Sequence, residues 1–431
     1  MQHCLPEITP DCLTGAVLAV EGVIDAAAVL NGPTGCKFYH AAIADRMLMR
    51  NTSLDPLPYS MEFYFGQSRV PATYLDGHDY VFGAGQKLQR ILPVVAAKGH
   101  KLIAVINTPG AALIGDDLQR VIEEADLGIP CVAVENPGFS GDLTEGFQQT
   151  LIRVLEAIHP HVQSPQPRCV NLLGMSIYHR HWEGSVQELT RLLGRCGISV
   201  NSVWAAGACV SDLQALHRAE ANLVIHDEYG ATLGEWIERR YGIPVLPVPP
   251  GAPLGFDATQ QWLETICQQL AADPAPGIDA LNQARIRAFT VLRRFNALTG
   301  LPKGVTFAVD ADASLVLPLI QWAHCYLGMI PVAVRTPANS RRSRAVLEAF
   351  LSDHGFASAL SIEPESVEAD LVFASGAALS RIDRLGLSKG GIDIAEPGSG
   401  CIEVAPKALL GAEGALYLLE LILNALHQLR R

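Results

Sequence analysis

The stretch "CLTGAVLAVEGVIDAAAVLNGPTGCKFYH", Cys12 to His40, decides how the rest of the chain is read. Its second half, from Val29, has the outline of a phosphate-binding loop, G-x-x-x-x-G-K-[ST]. In such a loop backbone N–H groups cradle the phosphates, the lysine reaches the terminal ones and the hydroxyl binds magnesium. Here Cys36 stands where the last glycine belongs, Lys37 follows it, and Phe38 replaces the hydroxyl. The loop has no ATP site, and the cysteine becomes the residue to explain. A thiolate at a helix start is stabilised by exposed N–H groups and by the helix dipole. A tight turn with an incidental thiol is the other reading, and this fragment alone leaves both open.

The chain has 431 residues, which at roughly 150 residues per domain suggests two or three domains. Hydrophobic residues make up 49% and charged residues 18%, enough apolar material for several buried cores. The net charge of −12 argues against nucleic-acid binding, which uses Lys and Arg to displace counterions from phosphates. "MQHCLPEITP" carries no basic leader or apolar run, so a cytoplasmic location is expected. In that reducing compartment the ten cysteines read as buried thiols or metal ligands rather than disulfides. The uncharged run Ala313–Val334 is long enough to span a bilayer, yet Pro318, Gln321, His324 and Pro331 interrupt it. It reads as a buried helix followed by a strand, and no membrane span is expected.

Short apolar runs alternate with amphipathic stretches along the whole chain, the pattern of βα units around parallel sheets. "KLIAVINT", "IPCVAVENPGF", "RCVNLLGM", "ISVNSVWAAG", "GVTFAVD" and "IPVAVRT" read as strands. "IGDDLQRVIEEADL" reads as a helix whose N-terminus Asp116 and Asp117 cap. Two proline-rich linkers, His159–Arg168 and Ala271–Ala280, divide the chain. The expected architecture is α/β with three Rossmann-like domains: 1–165, 166–290 and 291–431. "EANLVIH" (220–226) echoes "EADLVFA" (368–374), each followed by a helix and a second strand, "YGIPVLPVPPGAPLG" or "GGIDIAEPGSG". Ligands in open α/β sheets gather beyond the C-terminal ends of strands, which favours His226 and the loop around Cys401.

The longer pattern places C-x-x-G-A at Cys12 and G-P-x-G-C at Cys36, 24 positions on. It resembles the start of the nitrogenase component 1 superfamily, which includes dinitrogenase subunits, cofactor-assembly scaffolds, dark-operative protochlorophyllide reductases and the reductive cyclase of coenzyme F430 synthesis. "DGHDYVFGAGQKLQRIL", "NTPGAALIGDDL", "VENPGFSGDLTEGF", "NLVIHDEYGATLGEWIERRYGIP" and "LGAEGALYLLELILNAL" resemble further family segments in the family's order.

This resemblance implies three Rossmann-like domains, an iron–sulfur cluster at a subunit interface, and a separate ATP-hydrolysing iron protein as electron donor. Cys12 and Cys36 match two of the family's cluster ligands, and the family's third cysteine falls near Thr108. Iron–sulfur clusters usually take four thiolates. A [4Fe–4S] cluster would therefore be completed by a second copy of the chain or by a homologous partner chain, with Cys4 as a possible substitute. The family's second-cluster cysteine falls on His226 and its histidine near Cys401, so the two ligand types look exchanged; imidazole and thiolate both bind iron. The other reading is that this cluster site is lost. The family's proton-donating histidine falls near Phe147, beside Gln148, which speaks against dinitrogen as substrate.

Three further segments are candidates. His179 and His181 follow the first strand of the middle domain and face the same expected cavity, as ligands or substrate contacts or as part of a solvated loop. "SMEFYFGQSRVP", with Glu62, Gln67 and Arg69, lines a substrate pocket or packs domains. "NSRRSR", Asn339–Arg344, is expected to be a solvated basic face at a helix start, with contact to an anionic ligand as the other reading. The resulting reading is a nitrogenase-like reductase subunit acting on a small molecule or tetrapyrrole in an interdomain cavity. Its rivals are a metallocluster assembly scaffold, a tetrapyrrole reductase or cyclase, and a pure binding module.

Overall fold

The computed structural model describes residues 10–48, 70–135, 141–337, 339, 342–396 and 404–428. Cys4, residues 60–69 of the aromatic stretch, and Cys401 lie outside the described residues. Among the described residues ten strands form three sheets in which every paired strand is parallel. β1 (Ala26–Asn31), β2 (Leu102–Asn107) and β3 (Cys131–Val134) lie in that order. β4 (Gln166–Leu173), β5 (Ser199–Val203) and β6 (Ala219–Val224) make the second sheet, with β4 central. β7 (Thr306–Asp310), β8 (Ile330–Arg335), β9 (Leu371–Ser375) and β10 (Gly391–Ala395) are ordered β10-β9-β7-β8.

β1 and β2 are buried at every position, as expected for parallel strands covered on both faces. Ala28, Leu30, Ala104 and Ile106 point into one core with the helices Cys12–Glu21 and Leu143–Ile158. Val29, Ile103 and Val105 point the other way, onto Leu88, Leu92 and Val121. The helices Cys12–Glu21 and Leu143–Ile158 cross at reciprocal glycines: a Cβ on Gly15 would overlap the Leu143 carbonyl, and one on Gly146 would overlap the Cys12 carbonyl. Backbone-to-backbone contact of that kind leaves no side chain to yield.

The uncharged run is a buried helix, Ala313–Gln321, a π turn, Trp322–Tyr326, and then β8. Among the described residues no helix is long and apolar enough to cross a membrane. The echo between the second and third sheets is partial. β9, the helix Gly376–Arg384 and β10 complete the unit in one case. In the other, β6 and the helix Asp227–Tyr241 are followed by a single bridge, Asn222 to Val245. The prolines of "YGIPVLPVPPG" remove the ladder donors that a strand would need.

Three local expectations need adjusting. Asp117 caps its helix, accepting from Arg120 N–H, but Asp116 accepts instead from Ala84 N–H and joins two loops. The boundary expected at residue 290 falls inside one continuous helix, Ala275–Thr299. The basic run is only partly a solvated face: Arg342 is exposed though it also donates to the Val248 carbonyl, while Ser343 is buried and donates to Asp227 at 2.6 Å.

The helix Gly411–Gln428 packs against Trp182–Arg195 and Ala275–Thr299 rather than remaining with the third sheet alone. Buried Glu188 accepts from Ala412 N–H at 3.0 Å and Glu413 N–H at 3.2 Å, capping that helix from another sheet's layer. Arg191 holds the same carboxylate at 2.7 Å.

Replacing Gly146 by alanine forces apart the crossing that seats Cys12. The expected cost is about 1–3 kcal/mol, read as a lowered midpoint in thermal or urea unfolding. An unchanged midpoint would mean the crossing is not tight.

Candidate metal centre and interdomain cleft

Cys36 and Thr108 follow the C-terminal ends of the neighbouring strands β1 and β2. Asn31 bonds Asn107 at 2.8 Å, Thr73 bonds Asn31 at 2.9 Å, and Thr108 Oγ1 donates to the Asn31 carbonyl at 3.0 Å, so the two loops share one hydrogen-bonded base. A Cβ on Gly32 would overlap the Thr108 side chain, which is why a glycine opens the Cys36 loop. The Thr108 hydroxyl is a hydrogen-bond partner of the Cys36 thiol.

Cys12 comes to the same corner by another route. It begins its helix behind the cap Asp11, whose carboxylate accepts from Thr14 N–H. His40, in the π turn Lys37–Ala41 directly after Cys36, bonds Thr14 Oγ1 at 2.9 Å through Nδ1 and lies 3.6 Å from Asp11. The three residues matched from sequence, Cys12, Cys36 and Thr108, are thus gathered at one corner. Among the described residues no group of three or more His, Cys, Asp or Glu could hold a metal ion. The corner offers two thiols and a hydroxyl, half the usual thiolate set of a [4Fe–4S] cluster.

The expected helix-start stabilisation of Cys36 is not present. Cys36 lies in the first turn of a helical run that continues from Thr34–Cys36 through Lys37–Ala41 to Ala42–Met47, yet burial raises the thiol's pKa, opposed by the Thr108 hydrogen bond and reinforced by the Asp11 charge. Around this corner the surface is apolar: Tyr39, Val81, Phe82 and Leu113 are all more than two-thirds exposed. Lys37 Nζ reaches Tyr74 Oη at 2.9 Å, and the Tyr80 hydroxyl lies against Gly110, tying these loops together.

A second constellation lies where β4, β6 and β7 end. A cleft of about 510 Å³, counted to its open mouth, is lined by Met175, Tyr178, His179, Arg180, His226, Asp312, Leu315, Glu396, Leu409 and Leu410 among others. His226 is the N-cap residue of Asp227–Tyr241, with Nδ1 2.9 Å from Ser314 Oγ. The His179 ring stacks on it with centroids 4.0 Å apart, and Tyr229 meets His179 edge-on at 4.5 Å. Gly174, at φ +79°, and Gly230 make the stack possible, since a Cβ on Gly230 would lie 2.8 Å from the Gly174 Cα.

His181 is buried and packs against Tyr417 at 5.0 Å, and His179 is part-buried against the His226 ring, so neither is a freely solvated loop residue. Burial pushes His226 down to about 4 and His179 well below its ordinary range, so both imidazoles are neutral. The neighbouring acids move the other way. Burial, then nearby carboxylates, raises Glu228 and Asp312 toward neutrality, with Tyr229 donating to Asp312. Arg180 closes the rim through Asp393 at 3.4 Å and Glu396 at 3.2 Å.

Phe147 is fully buried and meets Tyr229 edge-on. Gln148 is engaged on both sides, donating to the Glu228 carbonyl at 2.8 Å and accepting from Thr232 N–H at 2.9 Å. Neither is a proton donor facing the cleft. Sequence reading missed Asp312, Glu228, Tyr229 and Ser314. Their position gave the signal: Asp312 and Ser314 follow β7, and Glu228 and Tyr229 open the helix after His226.

The pattern described as "Nitrogenase component 1 type Oxidoreductase" matches residues 12–379. The chain belongs to this family. This component 1 type chain is 29% identical to the "Nitrogenase iron-molybdenum cofactor biosynthesis protein NifE" of Rhodobacter capsulatus, over 66% of the chain and 57% of that protein. It is also 29% identical to a light-independent protochlorophyllide reductase chain of Rhodospirillum rubrum, over 38% of the chain and 32% of the relative. For the "Nitrogenase molybdenum-iron protein alpha chain" of Methanothermobacter thermautotrophicus the figures are 28%, 57% and 54%. The component 1 type chain thus spans a third to just over half of these relatives' length. Its fold matches the structure titled "Nitrogenase Cp1 at pH 6.5" with a TM-score of 0.76, covering 99% of the chain and 95% of the other at 15% identity.

Because Asp312 titrates above its unfolded value, its contribution to stability is present below the ordinary carboxyl range and is lost as pH rises through about 7. Asp312→Asn keeps an acceptor for Tyr229 and removes that titration. The wild type should lose on the order of 1–3 kcal/mol relative to the variant across this range, measured by urea unfolding at several pH values. Parallel curves would rule the argument out.

Proposed function

We propose that this chain is a reductase subunit of the component 1 type, in which Cys12 and Cys36 supply half the ligands of an interface [4Fe–4S] cluster. The observation that carries this reading is the corner itself: Cys36 and Thr108 at adjacent strand ends, the start of the Cys12 helix tied to them through His40, and exposed apolar side chains around them. Two thiols at one corner fit a cluster shared with a second copy or a homologous partner chain, each giving two thiolates. A bound cluster supplies one-electron transfer. The chain's own residues set its surroundings: Thr108 orients the Cys36 sulfur, and the Asp11–His40–Thr14 bonds fix the start of the Cys12 helix.

With no ATP site in the Cys36 loop, the same reading assigns nucleotide hydrolysis to a separate iron protein that docks near the corner. It places the small-molecule or tetrapyrrole substrate in the cleft between the second and third of three domains. His226, with Cys401 as its counterpart in the family's order, is the candidate ligand for a second metallocluster there. Burial of the neutral imidazole and its bond to Ser314 suit a metal-binding nitrogen whose partner fixes the ring. A second reading, cofactor assembly or tetrapyrrole reduction in place of dinitrogen chemistry, is favoured by the packing of Phe147 and Gln148 where the family's proton donor would stand. The relatives named for cofactor biosynthesis and protochlorophyllide reduction agree with it.

Anaerobically purified and reconstituted protein should contain iron and sulfide and give an EPR signal after dithionite reduction. Cys36→Ala should lose most of that iron while remaining folded by circular dichroism. Iron beyond about four per dimer that disappears in His226→Ala would establish the second cluster. A wild-type protein with no iron after reconstitution would refute the electron-transfer reading.

A further inference from the structure

The His179–His226 stack contains one atom for which no partner is present. His179 is part-buried, and its Nε2, itself shielded from solvent, has no hydrogen-bond partner. Its Nδ1 receives the Ser176 backbone N–H at 2.9 Å. A backbone N–H can only donate, so Nδ1 holds a lone pair and the ring proton sits on Nε2. Stacking on His226 and the edge contact with Tyr229 leave the ring no room to swing. A buried donor left unsatisfied is costly, and this one belongs to a residue that lines the cleft.

We propose that His179 is a fixed hydrogen-bond donor whose Nε2–H meets an oxygen or sulfur acceptor on the molecule held in the cleft, and that it is not a metal ligand. The inference rests on the reading that the cleft holds a ligand. It adds a requirement that His226 alone does not impose: the ligand must carry a carbonyl, carboxylate or sulfide acceptor. Coordination through Nε2 would need the proton moved to Nδ1, which would place two N–H groups against each other at Ser176. The two stacked imidazoles therefore have different tasks. The Ser314 hydroxyl accommodates either tautomer of His226, because it can donate or accept, whereas the Ser176 N–H permits only one tautomer of His179.

The test uses the full chain labelled with ¹⁵N-histidine and long-range ¹H–¹⁵N correlation spectra, with His179→Phe for assignment. The expected spectrum has Nε2 of His179 protonated and Nδ1 bare. Sodium formate and formamide are the probes, an anionic and a neutral oxygen acceptor. A saturable downfield shift of the Nε2 proton with either supports the proposal and tells which charge the cleft accepts. Zinc ion should leave this tautomer in place. A protonated Nδ1, a loss of the Nε2 proton on adding zinc, or no response to either probe overturns it. The iron analysis of Cys36→Ala fails or succeeds independently, so the spectra judge His179 even if the chain carries no cluster.

Discussion

The crossing of the helices Cys12–Glu21 and Leu143–Ile158 is the constraint on which the rest of the molecule depends. Gly15 and Gly146 bring each backbone onto a carbonyl of the other, and this contact fixes both ends of the functional architecture. At one end it seats Cys12 beside the β1 and β2 loops. At the other it places Phe147 and Gln148 against the helix Asp227–Tyr241, so the first sheet's layer is bonded to the helix that His226 caps. A packing contact between two small residues thereby spaces the thiol corner from the cleft.

Burial without pairing dominates the cleft's chemistry. Desolvation disfavours whichever form carries charge, so imidazoles are driven down and carboxylic acids up. His226, His179, Glu228 and Asp312 all obey this: the imidazoles are neutral, and the acids hold their protons well above the ordinary carboxyl range. Arg180, by contrast, is compensated locally by Asp393 and Glu396 at the rim. The interior is thus set apart from a chain whose overall charge is −12.

Much of this was legible in the sequence because it depends on local rules. A nearly unbroken apolar run such as Leu102–Asn107 fits a strand covered on both faces, and a glycine before Cys36 announces a turn. The positions of Cys12, Cys36 and Thr108 follow from motif spacing; in the structure Thr108 meets the Cys36 thiol, and the Cys12 helix start is tied to the same loop through His40. What escaped reading depends on long-range contact. Nothing near His179 in sequence announces His226, since the stack is set by the approach of Gly174 to Gly230. The charge of "NSRRSR" suggested solvent, which Arg342 meets, but the buried Ser343 beside it pairs with Asp227 from a segment more than a hundred residues away. The partial echo of the third sheet failed at Val245 because prolines, invisible to hydrophobic periodicity, removed the donors. Cys401 lies outside the described residues, so its alignment opposite His226 remains a proposal.

Glu188 reaches out of the second sheet's layer to hold the start of Gly411–Gln428, and Ser185 Oγ takes the Leu409 N–H at 2.9 Å just before it. Leu409 and Leu410 also form part of the cleft wall. During synthesis the second sheet's layer therefore leaves the ribosome with an uncovered apolar side and a carboxylate awaiting its helix. The cleft becomes a closed binding surface only when more than two hundred later residues have emerged. A ligand held in the cleft meets this wall only once the C-terminal helix is in place.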